Sequence, residues 1–316
     1  MCRSFVNRIL ICLLRFTIIG FSVMLASCMD SDSASKPFWT VGRISSHGLG
    51  KRGHEYLLQF GVQNANQILE ESGLWKGHFF PENPKFENGY DSRNDLVRGN
   101  YLTDFPDQSR PNELDLRLLF HIDRNSDWHT DPKVQRLHFL RSYSRDLKTL
   151  ESVPNTIHSA IQTILHMSQR AFGLWETDRR LALQHLGIAT HIIQDGFSLA
   201  HVSRKSQDDW FKISDICTFG SKWPGVCYHG VVDGNQNIMD DIVWDYSKCI
   251  GSESESCLKE NAMKAVETTA GFLTTFAEVL IIDGESELLN KSLTDFFGVK
   301  NSRVGSGYFG DFEIRL

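Results

Sequence analysis

The stretch LALQHLGIATHIIQDGFSLAHV, residues 181–202, combines the apolar period of a core helix with four ionisable side chains, of which His191, Asp195 and His201 can share a site. His191 and Asp195 are four positions apart, so a helix places them on one face, one turn from each other. His201 follows beyond Gly196, where a helix can end and the chain can turn toward the same site. Burying three such groups is costly unless a metal ion or mutual pairing neutralises them. This segment therefore predicts a core helix that carries a metal site.

A single His-x3-Asp spacing is more often a helix ion pair than a pair of metal ligands. Here the chain offers further candidates: His54, Asp104 and His138 upstream, and His229 and Asp233, which repeat the spacing downstream. Imidazole plus carboxylate, without thiolate, is the ligand mix of a hydrolytic zinc site. A site with several metals needs a bridging carboxylate, and Asp195 is the natural bridge.

Helical periodicity recurs along the chain. It predicts helices over 51–72, 137–150, 155–175, 178–197 and 258–282, with Asn155 and Asp178 as N-caps. Long loops are predicted over 76–135, with room for short helices, and over 202–257, and few stretches alternate as strands do. The prediction is a mainly α fold, a helical bundle domain with long irregular loops and a multinuclear metal site in the core.

Composition bounds the class of protein. Of the 316 residues, 41% are hydrophobic and 11% aromatic, which suits a sizeable core and excludes a disordered chain. The formal charge is -6 and no basic run occurs, which argues against nucleic-acid binding through counterion release. We therefore expect no specific nucleic-acid partner.

The first 27 residues follow the order of an export signal. Arginines without any acidic residue come first, and the apolar run FTIIGFSVMLAS follows at 16–27. The tetrapeptide LASC, residues 25–28, resembles a bacterial lipobox, which predicts a lipoprotein signal peptide over 1–27 and acylation of Cys28. An ordinary signal peptide or an uncleaved anchor helix is the alternative.

Residues 28–44 are predicted to tether this lipid anchor to a folded domain over 45–283, with 284–316 as an extension that packs on it. The residue after Cys28 is Met29, whereas an aspartate at this position would retain a lipoprotein in the inner membrane. The outer membrane or cell surface is therefore expected, with secretion or the periplasm as the alternative. Loss of residues 1–27 leaves 30 basic against 39 acidic residues, a formal charge of -9.

Four cysteines of the exported chain lie late in the sequence: Cys217, Cys227, Cys249 and Cys257. An even number in an exported chain predicts two disulfides. Their close spacing favours Cys217 with Cys227 and Cys249 with Cys257 among the three pairings.

The pattern HxxxDxxxxxH at 191–201, followed by a second HxxxD, resembles the trinuclear-zinc phospholipase C and single-strand nuclease superfamily, and most of all its phospholipase branch. GHEYLLQFG, residues 53–61, resembles the family's first-helix histidine segment. RGNYLTD, residues 98–104, resembles the loop that carries the family's early aspartate. LHFLRS, residues 137–142, resembles the motif that carries the family's second histidine. The resemblance covers about residues 45–245.

The resemblance implies two or three zinc ions per chain. By position, its ligands are Asp104, His138, His191 and Asp195 for the first, His54 and Asp195 for the second, and His201, His229 and Asp233 for the third. The family completes the second metal with a mature N-terminal Trp, whereas this chain would begin at an acylated Cys28 and has Trp39 in its interior. His47 is the candidate replacement; the alternative is a surface histidine.

The implied activity is hydrolysis of a phosphodiester bond by a metal-activated water, with Asp104 as the catalytic carboxylate beside the first metal. The expected substrate is a phosphatidylcholine-like phospholipid, giving diacylglycerol and a phosphorylated head group, and the expected state is a monomer. Two alternatives stay open: a nuclease or nucleotidase on the same metals, and a non-catalytic zinc-binding lipoprotein. Two histidines that match no ligand position of the family, His121 and His129, have a modest claim as ligands or substrate contacts. The sequence after His129 favours a turn.

Overall fold

The computed structural model of the chain describes residues 53–82, 94–126, 128–144, 149–204, 213–219, 228–229, 245, 255–282 and 291. Of these residues, 63% are helical and 7% lie in strands, which confirms the mainly α prediction. Some of the predicted sites lie outside the described residues: Cys28, His47, Cys227, Asp233 and Cys249. The signal peptide, the tether and the lipid anchor therefore stay predictions.

The α-helices of this part are α1 Gly53–Glu71, α2 Asp95–Asp104, α3 Leu116–Leu119, α4 Val153–Leu174, α5 Arg179–Asp195 and α6 Glu260–Ile282. Short 3-10 turns lie at Pro106–Gln108, Trp128–Thr130, Gln135–His138 and Glu255–Cys257. Two antiparallel strand pairs are β1 Tyr143–Ser144 with β2 Thr149–Leu150 and β3 Val202–Arg204 with β4 Ile213–Ile216. A parallel pair joins β5 Thr218–Phe219 to β6 Tyr228–His229.

Helix α5 lies at the centre of the bundle. Every residue from Ala182 to Asp195 is buried, and the helix contacts α1, α2, α4 and α6. A helix buried on all sides needs neighbours around its whole circumference, and these four helices provide them. Its predicted N-cap is confirmed, since the Asp178 side chain accepts a hydrogen bond from the Leu181 backbone N–H at 3.1 Å.

Two glycines let α2 and α5 approach very closely. A Cβ atom at Gly99 would lie 1.9 Å from the backbone oxygen of Gln184, and one at Gly187 would lie 2.1 Å from that of Leu96. Only a residue without Cβ permits this contact. The crossing brings the C-terminal end of α2, where Asp104 lies, beside the second half of α5.

The predicted helix over 137–150 is wrong. Phe139 adopts a left-handed conformation, with φ 50 and ψ 42, and this ends the 3-10 turn Gln135–His138. The chain then forms the β1–β2 pair, in which Tyr143 is opposite Leu150. Leu137, Phe139 and Leu140 reach the core from the 3-10 turn and the two residues that follow it rather than from one helical face.

The predicted N-cap at Asn155 is also wrong. Ser152 caps α4, because its side chain accepts a hydrogen bond from the Asn155 backbone N–H at 3.3 Å. The helix begins before Pro154, since proline is compatible with the first turn of a helix. Within the region predicted as loop over 76–135, Asn94 caps the ten-residue helix α2, accepting from Leu96 and Val97.

Helix α6 is long and apolar enough to cross a membrane by length and composition alone, but 61% of its apolar window is buried in the bundle, as in an ordinary core helix. Near its start, Cys257 is buried and disulfide-bonded, and so is Cys217. The favoured pairing of the four cysteines stays a prediction.

Candidate metal centre

Six of the histidines and aspartates predicted as ligands meet in the core, carried by different elements. They are His54 on α1, Asp104 at the end of α2, His138 at the end of a 3-10 turn, His191 and Asp195 on α5, and His201 after α5. All six are buried, with exposed fractions between 0% and 3%. Since buried polar groups require partners or a bound ion, this concentration is the first sign of a metal site.

Four of these side chains converge on one point. His191 Nε2 lies 3.2 Å from Asp195 Oδ2, 3.3 Å from His138 Nδ1 and 3.6 Å from Asp104 Oδ1. His138 Nδ1 lies 3.4 Å from Asp195 Oδ2 and 3.6 Å from Asp104 Oδ1. Ligands of a tetrahedral zinc ion at about 2.0–2.1 Å are about 3.3–3.4 Å from one another. These four donors, which we call the four-donor set, therefore have the spacing of zinc ligands around the His138–His191 pair, and His138, His191 and Asp195 form one group that could hold a metal ion.

The other oxygen of Asp195 faces a second imidazole. His54 Nδ1 donates to Gln194 Oε1 at 2.6 Å, and Asn100 Nδ2 donates to the same oxygen at 3.2 Å. In a neutral His54 ring, Nε2 would then be an acceptor, and this atom faces Asp195 Oδ1 at 3.2 Å. Two acceptors this close repel each other unless a cation or a proton lies between them. Asp195 thus faces ligand nitrogens through both oxygens, which is the arrangement that a bridging carboxylate needs.

His201 joins the cluster from the segment after α5. Its Nδ1 donates to the backbone oxygen of His138 at 2.6 Å, which directs Nε2 toward Asp195 Oδ1 at 3.9 Å. Such a hydrogen bond fixes the tautomer and the ring orientation of a metal-binding histidine. The two partners predicted for His201 are not described, since Asp233 and the His229 side chain lie outside the described part. The third zinc therefore stays a prediction.

The protonation states of the cluster suit metal binding. Burial lowers the pKa of His191 to about 3 and lowers the pKa of His201 as well. Burial by itself would raise the pKa of Asp195, but the positive charge that His201, His191 and His54 carry when protonated holds it well below its usual value. Neutral imidazoles and an ionised carboxylate are the forms that bind a cation.

Two polar residues of the site, Gln194 and Asn100, were not predicted from the sequence, and a third, His129, had only a modest claim as a ligand or substrate contact. Gln194 orients His54 and Asn100 donates to the same Gln194 oxygen, and neither residue type signals a metal site by itself. His129 is half-buried, and one ligand atom each of Asp104, His129 and His138 lie within 4.8 Å of one another. The turn sequence after His129 pointed away from a ligand role, although a residue in a turn can also bind a metal.

Comparison with family models, with curated proteins and with solved structures finds no match to the chain. The family resemblance therefore depends on the motifs themselves. Within the described residues, three groups of side chains could hold a metal ion: His54, Asp104 and His191; Asp104, His129 and His138; and His138, His191 and Asp195. These overlapping groups form one buried cluster that could hold a metal.

Proposed function

We propose that the protein is a zinc-dependent phosphodiester hydrolase of the phospholipase C type. The observation that carries this proposal is the four-donor set, in which His191 and His138 lie 3.2–3.6 Å from each other and from carboxylate oxygens of Asp104 and Asp195. These residues follow the order of the superfamily that the motifs resemble. Nitrogen and carboxylate donors without thiolate favour a hydrolytic zinc site.

A bound zinc ion would lower the pKa of a water ligand toward neutrality and polarise the phosphate oxygens. The residues of the chain supply the rest. Asp195 would neutralise part of the cation charge, and it links His54, which faces its Oδ1, to His138 and His191, which face its Oδ2. Asp104, whose Oδ1 lies 3.6 Å from both His138 and His191, is the carboxylate proposed to orient and deprotonate the attacking water. Gln194 and the His138 backbone keep the rings of His54 and His201 in place.

A phospholipid is the proposed substrate because of the predicted lipid anchor and the charge of the chain. An enzyme anchored through Cys28 works at the bilayer surface, where head groups are concentrated. A nucleic acid would approach a chain with a formal charge of -9 before cations are counted. Hydrolysis of single-stranded nucleic acid on the same metals is the competing activity.

The proposal is tested on the detergent-solubilised full-length protein. We expect two or three zinc ions per chain by elemental analysis. We also expect release of diacylglycerol from phosphatidylcholine vesicles, abolished by a zinc chelator. His191→Ala and Asp195→Ala should lower zinc content and reduce hydrolysis by more than about 100-fold, because residues that only orient a ligand already cost about 10- to 100-fold. His78→Ala is the control, since this side chain is 66% exposed.

Less than one metal ion per chain, after purification without chelator, would refute the zinc site. Faster cleavage of single-stranded DNA or RNA, without diacylglycerol, would transfer the assignment to the nuclease branch. Zinc binding without either activity would favour a non-catalytic lipoprotein.

A further inference from the structure

His129 lies close to the cluster on a 3-10 turn, Trp128–Thr130. Its ring centroid is 5.3 Å from that of His138, the same separation that His138 has from His191 within the four-donor set. One ligand atom each of Asp104, His129 and His138 lie within 4.8 Å of one another. His129 is therefore placed, relative to two of the proposed zinc ligands, as a further ligand would be.

The turn that carries His129 is attached to both neighbouring ligand segments. The Trp128 indole Nε1 donates to the backbone oxygen of Thr103, the last residue but one of α2, at 2.8 Å. Gln135 Nε2 donates to the backbone oxygen of His129 at 2.6 Å, and Gln135 begins the 3-10 turn that ends in a ligand histidine. Hydrogen bonds from both sides fix the backbone of His129 relative to the cluster.

A buried arginine, Arg117, contacts the same turn through the Trp128 ring. The Arg117 guanidinium lies 5.6 Å from the Trp128 ring centroid and donates to the backbone oxygens of Asp123 and Ser126 at 2.9 and 3.1 Å. Arg117 is 6% exposed. A site works best when its ligands are held by supporting contacts of this kind, which reduce the freedom lost on binding.

Exposure distinguishes His129 from its neighbours. It is half-buried, whereas Asp104 and His138 are 2% and 3% exposed. His129 is therefore the member of this group that is most accessible to solvent. Catalytic zinc sites differ from structural ones because they keep a position open to water or substrate.

We propose that His129 is a further ligand of the zinc ion held by Asp104 and His138, on the side from which water and the phosphodiester arrive. This inference rests on the proposed function. An imidazole at this position determines which side of the ion stays open to substrate. It also explains why the turn Trp128–Thr130 is hydrogen-bonded both to α2 and to the 3-10 turn that carries His138.

The test compares His129→Gln with His121→Asn in the full-length protein. His121 is an exposed histidine on the same segment, it belongs to none of the groups of described residues that could hold a metal ion, and its φ of 52 suits asparagine. Zinc affinity is measured by competition with a chromophoric chelator. The visible spectrum of the cobalt-loaded protein reports the number and type of ligands. We expect His129→Gln to weaken zinc binding by about 10-fold or more and to change the cobalt spectrum, with His121→Asn unchanged in both.

His129→Ala serves as a second variant, and circular dichroism establishes that each variant is folded. If the wild type binds zinc and both folded His129 variants keep its affinity and cobalt spectrum, the inference is wrong and the proposed function stands. If the wild type binds no zinc, the proposed function fails and the inference fails with it.

Discussion

Replacing Gly187 by alanine should separate the two helices that meet at the metal cluster. The added Cβ would lie 2.1 Å from the Leu96 backbone oxygen, whereas ordinary contact begins at 3.4 Å, so the carbonyl must move away by about 1.3 Å. The obstacle is backbone, which cannot rotate aside as a flexible side chain can. The gain in helix propensity is at most about 1 kcal/mol. Overpacking typically costs about 1–3 kcal/mol, so we expect a net loss of stability.

The same displacement should damage the metal site. Gly187 lies one turn before His191, and α2 ends at Asp104. The distance of 3.6 Å between His191 Nε2 and Asp104 Oδ1 links the two helices at the cluster. Metal–ligand distances tolerate changes of only about 0.2 Å, so a shift near 1 Å should remove Asp104 from a shared ion.

Urea denaturation with and without zinc, together with zinc stoichiometry, measures both effects. The matched control is Gly173→Ala, also on a helix, where no atom lies within 4 Å of the new Cβ. This variant should gain up to about 1 kcal/mol and keep the stabilisation by zinc. If Gly187→Ala resembles Gly173→Ala in stability and in its response to zinc, the close-crossing argument is wrong.

Two further predictions concern the scaffold. Burial lowers the pKa of His185 to about 3, and the charges of Arg170 and His166 add to the shift. Above pH 6.5, His185 is neutral in both the folded and the unfolded chain. Between pH 6.5 and about 3, only the unfolded chain takes up a proton at His185. On acidification in the presence of chelator, the free energy of unfolding of the wild type should therefore fall by up to about 1.4 kcal/mol per pH unit more than that of His185→Gln, as measured by urea denaturation. An equal pH dependence of the two free energies would exclude His185 as the cause. Glu113→Ala should cost about 3 kcal/mol, because it leaves Arg98, 3% exposed and 2.7 Å from the Glu113 carboxylate, without its ion pair. Arg124→Ala, which removes an 80% exposed side chain from its ion pair with Asp115, should cost less than about 0.5 kcal/mol, and similar losses in the two variants would contradict this expectation.

The sequence was a sufficient guide wherever the determining interactions are local. The helix period predicted α5, and the four-residue spacing placed His191 and Asp195 on one face, because helix geometry depends only on neighbours within a turn. The Asp178 cap follows the same rule. Composition and periodicity together predicted a mainly α fold, because apolar helices must bury their faces against one another.

Local pattern failed where tertiary contacts overrode it. Residues 137–150 have a helical period, yet Phe139 turns into the left-handed region and the chain pairs as β1 and β2. Leu137, Phe139 and Leu140 are buried in the observed turn, and a helical period by itself does not exclude that arrangement. Packing against α4 and α5 decided between the helix and this turn.

Which of the 12 histidines join the cluster was decided only by tertiary structure. His54 and Gln194 are hydrogen-bonded across 140 positions of the chain, and His138 and His191 meet across 53. No periodicity reaches so far, because contacts at that separation are set by how helices cross and where loops close. The glycine crossing of α2 and α5 and the fastening of the His129 turn are such contacts. The sequence supplied the ligand types and their order, whereas the backbone packing around α5 determined their distances and hence the chemistry they can perform.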